Sequence, residues 1–118
     1  MINAIIKEPG KRPKFIKLEG TLQELQKLVG GKIECIYELD EKGITIWCND
    51  ESKLSQDSKP NFWIYERQDI VYGTAIFVGF GEEGEDISLT DEQSRDIFDY
   101  LKVNEPTIAE QLTLQLIK

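Results

Sequence analysis

The sequence predicts a single small α+β domain, in which two or three helices pack on a mostly antiparallel sheet of about five strands. Two stretches place apolar residues at helical spacing behind a threonine, and several others alternate apolar and polar residues. Glycine and proline separate these stretches. The length of 118 residues suits one domain with one modest core.

The first predicted helix begins after Thr21 and ends at the pair Gly30 and Gly31. Glu24 lies three residues after Thr21, which is the arrangement of a capping box. Glycine can adopt the left-handed conformation that ends a helix without a steric cost. The apolar face of this helix would consist of Leu22, Leu25, Leu28 and Val29.

Two alternating stretches follow and are expected to pair as a hairpin across the polar turn at residues 40–43. The predicted cross-strand pairs are Leu39 with Ile44, Tyr37 with Ile46, and Cys35 with Cys48. All six side chains would then share one face. The two cysteines would be small core residues, because their spacing is not that of a redox motif and a disulfide is not expected in the cytosol.

Three further strands are predicted on either side of this unit. Residues 2–7 and 15–18 form the first two, separated by a loop that contains two prolines and a glycine. Residues 70–80 are the most apolar stretch, and their β-branched and aromatic content predicts a central strand that is buried on both faces. Because this run is longer than a typical strand, a bulge or bend is expected at Gly73.

A second helix is predicted over residues 90–102, where Thr90 and Gln93 form another capping box. Pro106 prevents its continuation. Residues 1–103 should therefore form the core domain and residues 104–118 a C-terminal extension. The leucines of the extension fit both a helix and a strand. A capping pattern favours the helix, which we expect to dock on its own domain or on a partner.

Composition places the chain among soluble globular proteins, with 40% hydrophobic and 31% charged residues. The beginning of the chain lacks the features of a signal peptide, and no apolar run reaches the ~20 residues that span a bilayer. We therefore expect a cytoplasmic protein that does not bind membranes.

The net charge of −8 is unevenly distributed. Seven basic and three acidic residues lie in positions 1–32, whereas seven basic and nineteen acidic residues follow. An acidic surface repels the phosphate backbone, so direct binding to nucleic acid is disfavoured. A basic partner protein is the expected alternative.

The chain contains no histidine, so the usual imidazole base and the usual zinc and serine-hydrolase sites lack a member. Residues 79–84 match the letters of a dinucleotide fingerprint, but glutamates surround them and would repel a pyrophosphate. The spacing of calcium-binding loops is also absent. We therefore expect a protein without enzymatic activity, cofactor or metal.

Two groups of charged residues are candidate binding sites. The acidic group is expected to contact a basic partner and consists of Asp50, Glu51, Glu82, Glu83, Glu85 and Asp86. The basic group lies at the tip of the first loop, where Lys7 joins Lys11, Arg12 and Lys14. This tip is either a solvated loop or an anion site.

In the second case, Lys11, Arg12 and Lys14 would hold the phosphates of a small nucleotide while Trp63 or Tyr65 stacks on its base. Otherwise these two aromatic residues, with their neighbours at 62–65, are expected to cover the edge of the core.

Five separated blocks of the chain together resemble a known family. They are residues 8–11 (EPGK), 22–31 (LQELQKLVGG), 49–51 (NDE), 69–74 (DIVYGT) and 88–93 (SLTDEQ). In this order they are similar to a family of small proteins from phages, plasmids and bacterial genomes filed as domain of unknown function 3846. The resemblance covers about residues 2–101. It implies a mobile-element setting and supplies no catalytic residues.

The lead functional hypothesis is a non-enzymatic binding protein of a phage or similar element, with an anti-defence inhibitor as the specific form. Its acidic later part would engage a basic host protein, such as a nuclease of a defence system. The first alternative is a protein that sequesters a nucleotide signal and so counteracts host immunity. The second is a structural homodimer joined by the C-terminal tail.

Overall fold

The fold is organised around an antiparallel sheet that has helices on both faces. A computed structural model describes residues 1–51, 58–64 and 69–105. The strands are β1 (Ile2–Lys7), β2 (Lys14–Leu18), β3 (Ile33–Ile36), β4 (Ile44–Asn49), β5 (Pro60–Ile64), β6 (Asp69–Tyr72), β7 (Ala75–Phe80) and β8 (Asp86–Ile87). The helices are α1 (Leu22–Val29) and α2 (Asp91–Asn104), and a single 3-10 turn covers Asp40–Lys42.

The main sheet has the strand order β2-β1-β7-β4-β3, and the short β8 pairs with the end of β7. All pairings are antiparallel. A separate antiparallel hairpin consists of β5 and β6. The predicted α+β class, with a mostly antiparallel sheet and two helices, is therefore confirmed.

Strand β7 lies at the centre of the main sheet, as the apolar stretch at 70–80 predicts. The prediction of one long strand is wrong in one respect, because the chain leaves the β5–β6 hairpin at Tyr72 and enters the main sheet at Ala75. Gly73 makes this change of sheet with a φ of 78°, a conformation that glycine adopts readily. The predicted bend is thus a boundary between two sheets.

Each face of the main sheet carries its own hydrophobic cluster. The α1 face contains the buried residues Ala4, Ile6, Leu18, Leu25, Val29, Ile76 and Val78. The opposite face packs against α2 and the β5–β6 hairpin. Phe62 and Ile64 of β5 are buried there together with Phe77 of β7 and Ile97 of α2. Phe62 and Ile64 are therefore part of the core itself, whereas the sequence predicts that their segment only covers the edge of the core.

Both predicted helix starts are confirmed. The Thr21 hydroxyl accepts the backbone N–H of Glu24, although the Glu24 carboxylate accepts from Gly20 and not from Thr21. At α2 the box is reciprocal, with hydrogen bonds of 3.0 and 3.1 Å between Thr90 and Gln93. A cap of this kind stabilises a helix by about 1 kcal/mol.

The predicted domain boundary falls close to the end of α2. This helix includes Asn104, which is buried, so the last helical residue lies one position inside the predicted extension. Residues 106–118, on which the prediction of a tail helix rests, lie outside the described residues.

The hairpin of β3 and β4 has a different register from the predicted one. Cys35 pairs with Trp47, and Cys48 pairs with Glu34. Because side chains alternate along a strand, the two cysteines point to opposite faces of the sheet. The predicted cysteine–cysteine and tyrosine–isoleucine pairs are wrong.

The shift of one position arises between the turn and β3. The turn itself closes as expected, since the Ile44 N–H donates to the Leu39 carbonyl at 3.2 Å. Strand β3, however, ends at Ile36. The chain has one more residue between Ile36 and Leu39 than between Ile44 and Ile46, so the pairing of the two strands shifts by one position, as it does at a β-bulge. As a consequence, Tyr37 is 67% exposed instead of buried.

The observed register predicts unequal reactivity of the two thiols. Burial, and next the carboxylate of Glu34, raise the pKa of Cys48 to about 12, and burial also raises the pKa of the half-buried Cys35. Since the thiolate is the reactive form, both cysteines of the folded chain should be alkylated slowly at pH 8, and Cys48 more slowly than Cys35.

Mass spectrometry of time points, with the urea-unfolded chain as the reference, measures both rates. The variant Cys48→Ser isolates Cys35, and Cys35→Ser isolates Cys48. Equal rates for the two thiols, or labelling as fast as in urea, would contradict this assignment of faces.

Candidate protein-binding surface

One end of the sheet collects most of the acidic residues that the sequence singled out. The Phe80 N–H at the end of β7 donates to the Gly43 carbonyl at 2.8 Å, which joins the turn after β7 to the turn before β4. Both turns are acidic, and we call their carboxylates together the acidic end. Its members are Asp40, Glu41, Glu82, Glu83, Glu85 and Asp86.

The β7–β8 turn has a defined internal structure. The Gly81 N–H donates to the Glu85 carbonyl at 2.8 Å, and the Glu85 carboxylate accepts the Glu83 N–H at 3.1 Å. The Glu85 side chain folds so closely over Gly81 that a β-carbon there would overlap it. The side chains of Glu82 and Glu83 are exposed and, among the described residues, make no contact of this kind, so these two carboxylates are the better placed to bind a partner.

Asp86 differs from the other members of the acidic end because it is half buried. Its two carboxylate oxygens accept the indole N–H of Trp47, each at 3.2 Å. Burial raises the pKa of Asp86, although this hydrogen bond opposes the shift. The main role of Asp86 is therefore to hold Trp47 in place on the α1 face.

Exposed aromatic side chains lie directly beside the acidic end. Phe80 is 45% exposed and lies on the α1 face, next to the strand that carries Asp86. Tyr37 is 67% exposed, and its carbonyl accepts the Asp40 N–H at 3.1 Å, at the start of the other acidic turn. We call Tyr37, Phe80 and the half-buried Trp47 the aromatic corner.

Two members of this corner, Phe80 and Tyr37, stay exposed beside the helix α1. It begins near Leu18 and ends where the Val29 carbonyl accepts the side-chain amide of Asn49 at 3.2 Å. The buried residues beneath it come from β1, β2 and the middle of β7. Trp47 of β4 is partly buried against the same cluster, whereas Phe80 and Tyr37 are exposed.

Asp50 and Glu51 do not belong to this surface. They follow β4 at Asn49, whereas the acidic end surrounds the beginning of the same strand at Ile44. The Asp50 N–H donates to the Lys32 carbonyl at 3.0 Å, which holds this turn at the opposite end of the sheet. The structure thus divides the predicted acidic group into two separate sites.

The predicted basic tip is partly neutralised by its own loop. Lys11 and Lys14 pair with the two carboxylate oxygens of Glu8 at 3.4 and 3.5 Å. Slight burial acts to raise the pKa of Glu8, but Lys11 and then Lys14 outweigh it and hold that pKa below its ordinary value. Arg12 is exposed on the same loop.

Lys7 is not part of the tip. Its side chain is fully buried, and its ammonium donates to the Glu8 carbonyl at 2.9 Å and to the Asn61 side-chain oxygen at 3.0 Å. Glu105, just after α2, lies 3.5 Å from the same ammonium. Asn61 in turn donates to the carbonyls of Lys7 and Gly73, so this cluster joins β1, the β5–β6 hairpin and the end of α2.

Trp63 lies in β5 and is half buried, and its carbonyl accepts the Tyr100 hydroxyl at 3.3 Å. The second predicted stacking residue, Tyr65, lies outside the described residues. The predicted nucleotide site of Lys11, Arg12, Lys14, Trp63 and Tyr65 therefore stays a prediction.

Within residues 1–51, 58–64 and 69–105, no group of three cysteine or acidic side chains is close enough to hold a metal ion. In the same part of the chain, no helix combines the length and the apolar character that crossing a bilayer requires.

The sequence does not predict Tyr37 and Phe80 as surface residues, and it does not assign the turn residues Asp40 and Glu41 to the candidate site. The sequence predicts Tyr37 and Phe80 in the sheet core because they occur in alternating or apolar stretches. The signal for Phe80 is its position directly before Gly81, which leads into an acidic turn, because a strand ends there and its face opens to solvent. For Tyr37, only the register of β3 decides between core and surface, and a single residue changes that register.

Fold and surface together define a small α+β domain with an acidic, partly aromatic end. The chain belongs to the family described as Domain of unknown function (DUF3846), whose family model matches residues 2–102. The resemblance noted in the sequence blocks is thereby confirmed. No curated protein and no solved structure gives a significant match to the chain.

The buried Lys7 predicts a specific dependence of stability on pH. Burial lowers its pKa, and Glu105 and then Glu8 offset only part of that effect. At pH values between the lowered pKa and the ordinary pKa of ~10.4, the unfolded chain therefore holds more protons at this site than the folded chain. The free energy of unfolding of the wild type, relative to Lys7→Met, should therefore rise as the pH increases from 8 to 10.

Urea titrations at several pH values measure this difference. The matched control is Lys27→Met, which removes an exposed lysine of α1 and should give a constant difference. A difference for Lys7→Met that stays flat or falls with pH would show that the ammonium is not desolvated in the folded chain.

Proposed function

We propose that this protein is a non-enzymatic binding protein of a phage or similar mobile element, which attaches to a basic host protein through its acidic end and aromatic corner. The observation that carries the proposal is the junction of the two acidic turns beside Phe80, made by the Phe80–Gly43 hydrogen bond. The mobile-element setting follows from the resemblance of the sequence blocks.

The position of the acidic end is well fixed, which favours binding by a preorganised surface. The Gln93 side chain on α2 donates to the carbonyls of Lys42 and Gly43, at 3.0 and 3.1 Å. This ties the β3–β4 turn to the beginning of α2. Lys42, a basic residue of that turn, is itself 3.7 Å from Asp96 on α2, so it is turned towards an acid of its own chain.

The aromatic corner adds apolar contact area, which acidic residues alone lack. Exposed carboxylates mainly steer a basic partner and raise the association rate, because solvent and salt screen them. Aromatic side chains supply buried contact area, and their faces attract arginine and lysine. Tyr37 and Phe80 are exposed aromatic side chains that adjoin the acidic end, so a basic surface could contact both components at once.

The proposal assigns different roles to the predicted acidic residues. Glu82 and Glu83 contact the partner, Glu85 shapes the turn, and Asp86 positions Trp47. Asp50 and Glu51 lie at the far end of β4 and are not needed. A basic host protein that handles nucleic acid, such as a defence nuclease, has the surface chemistry that this arrangement would recognise.

A capture experiment from a bacterial host lysate tests the proposal. The tagged full chain should retain a basic protein at 50 mM salt and lose it at 500 mM salt. The variant Glu82→Gln/Glu83→Gln, which leaves the Glu85 hydrogen bonds intact, should weaken binding of the same partner by about tenfold. The matched control Asp50→Asn/Glu51→Gln removes the same charge at the other end and should bind within about twofold of the wild type.

A partner that survives high salt, or equal losses in both double variants, would reject the acidic end as the binding surface. Equal losses would mean that only net charge matters.

Sequestration of a nucleotide signal is the second candidate function, and the exposed Arg12 beside Lys11 and Lys14 is the observation that favours it. Glu8 competes for both lysines, which weakens the case. Thermal-shift measurements with cyclic and linear nucleotides separate the two candidates. The lead proposal predicts an unchanged melting temperature, whereas a rise that Arg12→Ala abolishes would favour sequestration.

The third candidate is a structural homodimer that is joined through residues 106–118, which lie outside the described residues. A monomeric mass in solution would exclude it.

A further inference from the structure

A groove lies between the β3–β4 turn and the C-terminal part of α2. Its volume is about 430 Å³, and Glu38, Leu39 and Lys42 form the wall on the side of the turn. The residues of the α2 wall follow one another at helical spacing, so they share one face of the helix. They are Asp96, Asp99, Tyr100, Val103 and Asn104. Because Glu38 and Leu39 directly precede the Asp40–Lys42 turn, the groove is continuous with the acidic end.

Three residues give the groove an apolar lining. Leu39 is buried in the core cluster, and Tyr100 is half buried against the same cluster. The ring of Tyr100 lies 6.2 Å from the ring of Phe62, edge to face, so this wall has a fixed position. Val103 is 74% exposed, which leaves apolar area uncovered at the rim. Arginine and lysine side chains bury their aliphatic stems on such surfaces and keep the charged group at a polar edge.

The charge of the groove favours a cation. Three carboxylates and one ammonium line it, and the ammonium of Lys42 is 3.7 Å from Asp96. Within the described part of the chain, Glu38 and Asp99 form no ion pair. A cationic side chain that enters the groove therefore meets two carboxylates that no residue of this part of the chain neutralises.

The carboxylate of Glu38 also lacks a hydrogen-bond donor. Its Oε1 atom is buried and accepts no hydrogen bond from the described residues. A buried acceptor without a donor destabilises the free chain. The last torsion of a glutamate side chain is broad, so this carboxylate can rotate towards a donor that arrives in the groove. A guanidinium presents five N–H groups in one plane and can serve two acceptors at once, whereas an ammonium acts as a point charge.

We infer that this groove receives one arginine side chain of the basic partner. The aliphatic part of the arginine packs on Val103 and Tyr100, and its guanidinium donates to Glu38, with Asp99 supplying a second negative charge. The inference rests on the proposed function, because it names the side chain that the partner inserts beside the acidic end.

The test compares hexa-arginine with hexa-lysine, two peptides of equal charge, on the full chain with ¹³C-labelled methyl groups. Calorimetry at 50 mM salt should give hexa-arginine the higher affinity by about fivefold. Hexa-arginine should also show nuclear Overhauser contacts between its methylene protons and the methyl groups of Val103. The variant Glu38→Gln should remove the preference for arginine, so that the two peptides bind within about twofold of each other.

The matched control Asp50→Asn removes one charge at the opposite end of β4 and should keep the fivefold preference. The variant Asp99→Asn changes an exposed residue of α2 and should reduce the preference, which keeps the test valid if Glu38→Gln does not fold. Equal affinities of the two peptides for the wild type, or the same loss of preference in Asp50→Asn, would overturn the inference.

The same spectra separate this inference from the proposed function. Shifts at residues 80–86 without contacts to Val103 would overturn the arginine groove and leave the acidic end as the binding surface, whereas no binding of either peptide would reject both. Contacts between the Val103 methyl groups and the leucines of residues 106–118 in the free chain would mean that the chain fills its own groove. If such contacts appeared only at high concentration, a second copy would fill it. Either result would also overturn the inference.

Discussion

Strand β7 is the constraint on which the rest of the structure depends. It is paired with β1 and β8 on one edge and with β4 on the other, and its side chains are buried in both hydrophobic clusters. A strand in this position cannot slip, because a shift of one residue would exchange its two faces. Its two ends therefore have fixed positions. Gly73 leads into it from the β5–β6 hairpin, and Phe80 leads out of it into the acidic turn.

The elements that depend on neighbouring residues were predictable from the sequence, and those that depend on distant pairing were not. The caps at Thr21 and Thr90 are local hydrogen bonds, so three or four residues determine them. The register of β3 depends on how Leu39 enters the core from the turn, which no local pattern shows. The change of sheet at Gly73 is similar, since one apolar run cannot indicate that its two halves have different partners.

The residues of the candidate surface also divide into those that neighbouring residues identify and those whose position depends on distant strand pairing. Glu82 and Glu83 were found because they form an acidic turn in the sequence itself. Asp50 and Glu51 were grouped with them only by charge, and the length of β4 separates the two pairs. Lys7 was assigned to the basic tip because it is near Lys11 in sequence, but strand alternation turns it into the core towards Asn61. Charge alone does not reveal which end of a strand a residue occupies.

The central claim is that basic ligands meet this protein at the acidic end and the aromatic corner. The most direct measurement is a titration of the ¹⁵N-labelled full chain with a hexa-arginine peptide at low salt. The account predicts that the largest amide shifts cluster at residues 37–43 and 80–86, and that residues 50 and 51 change little. Shifts spread evenly over all acidic residues, or largest at 50 and 51, would contradict it.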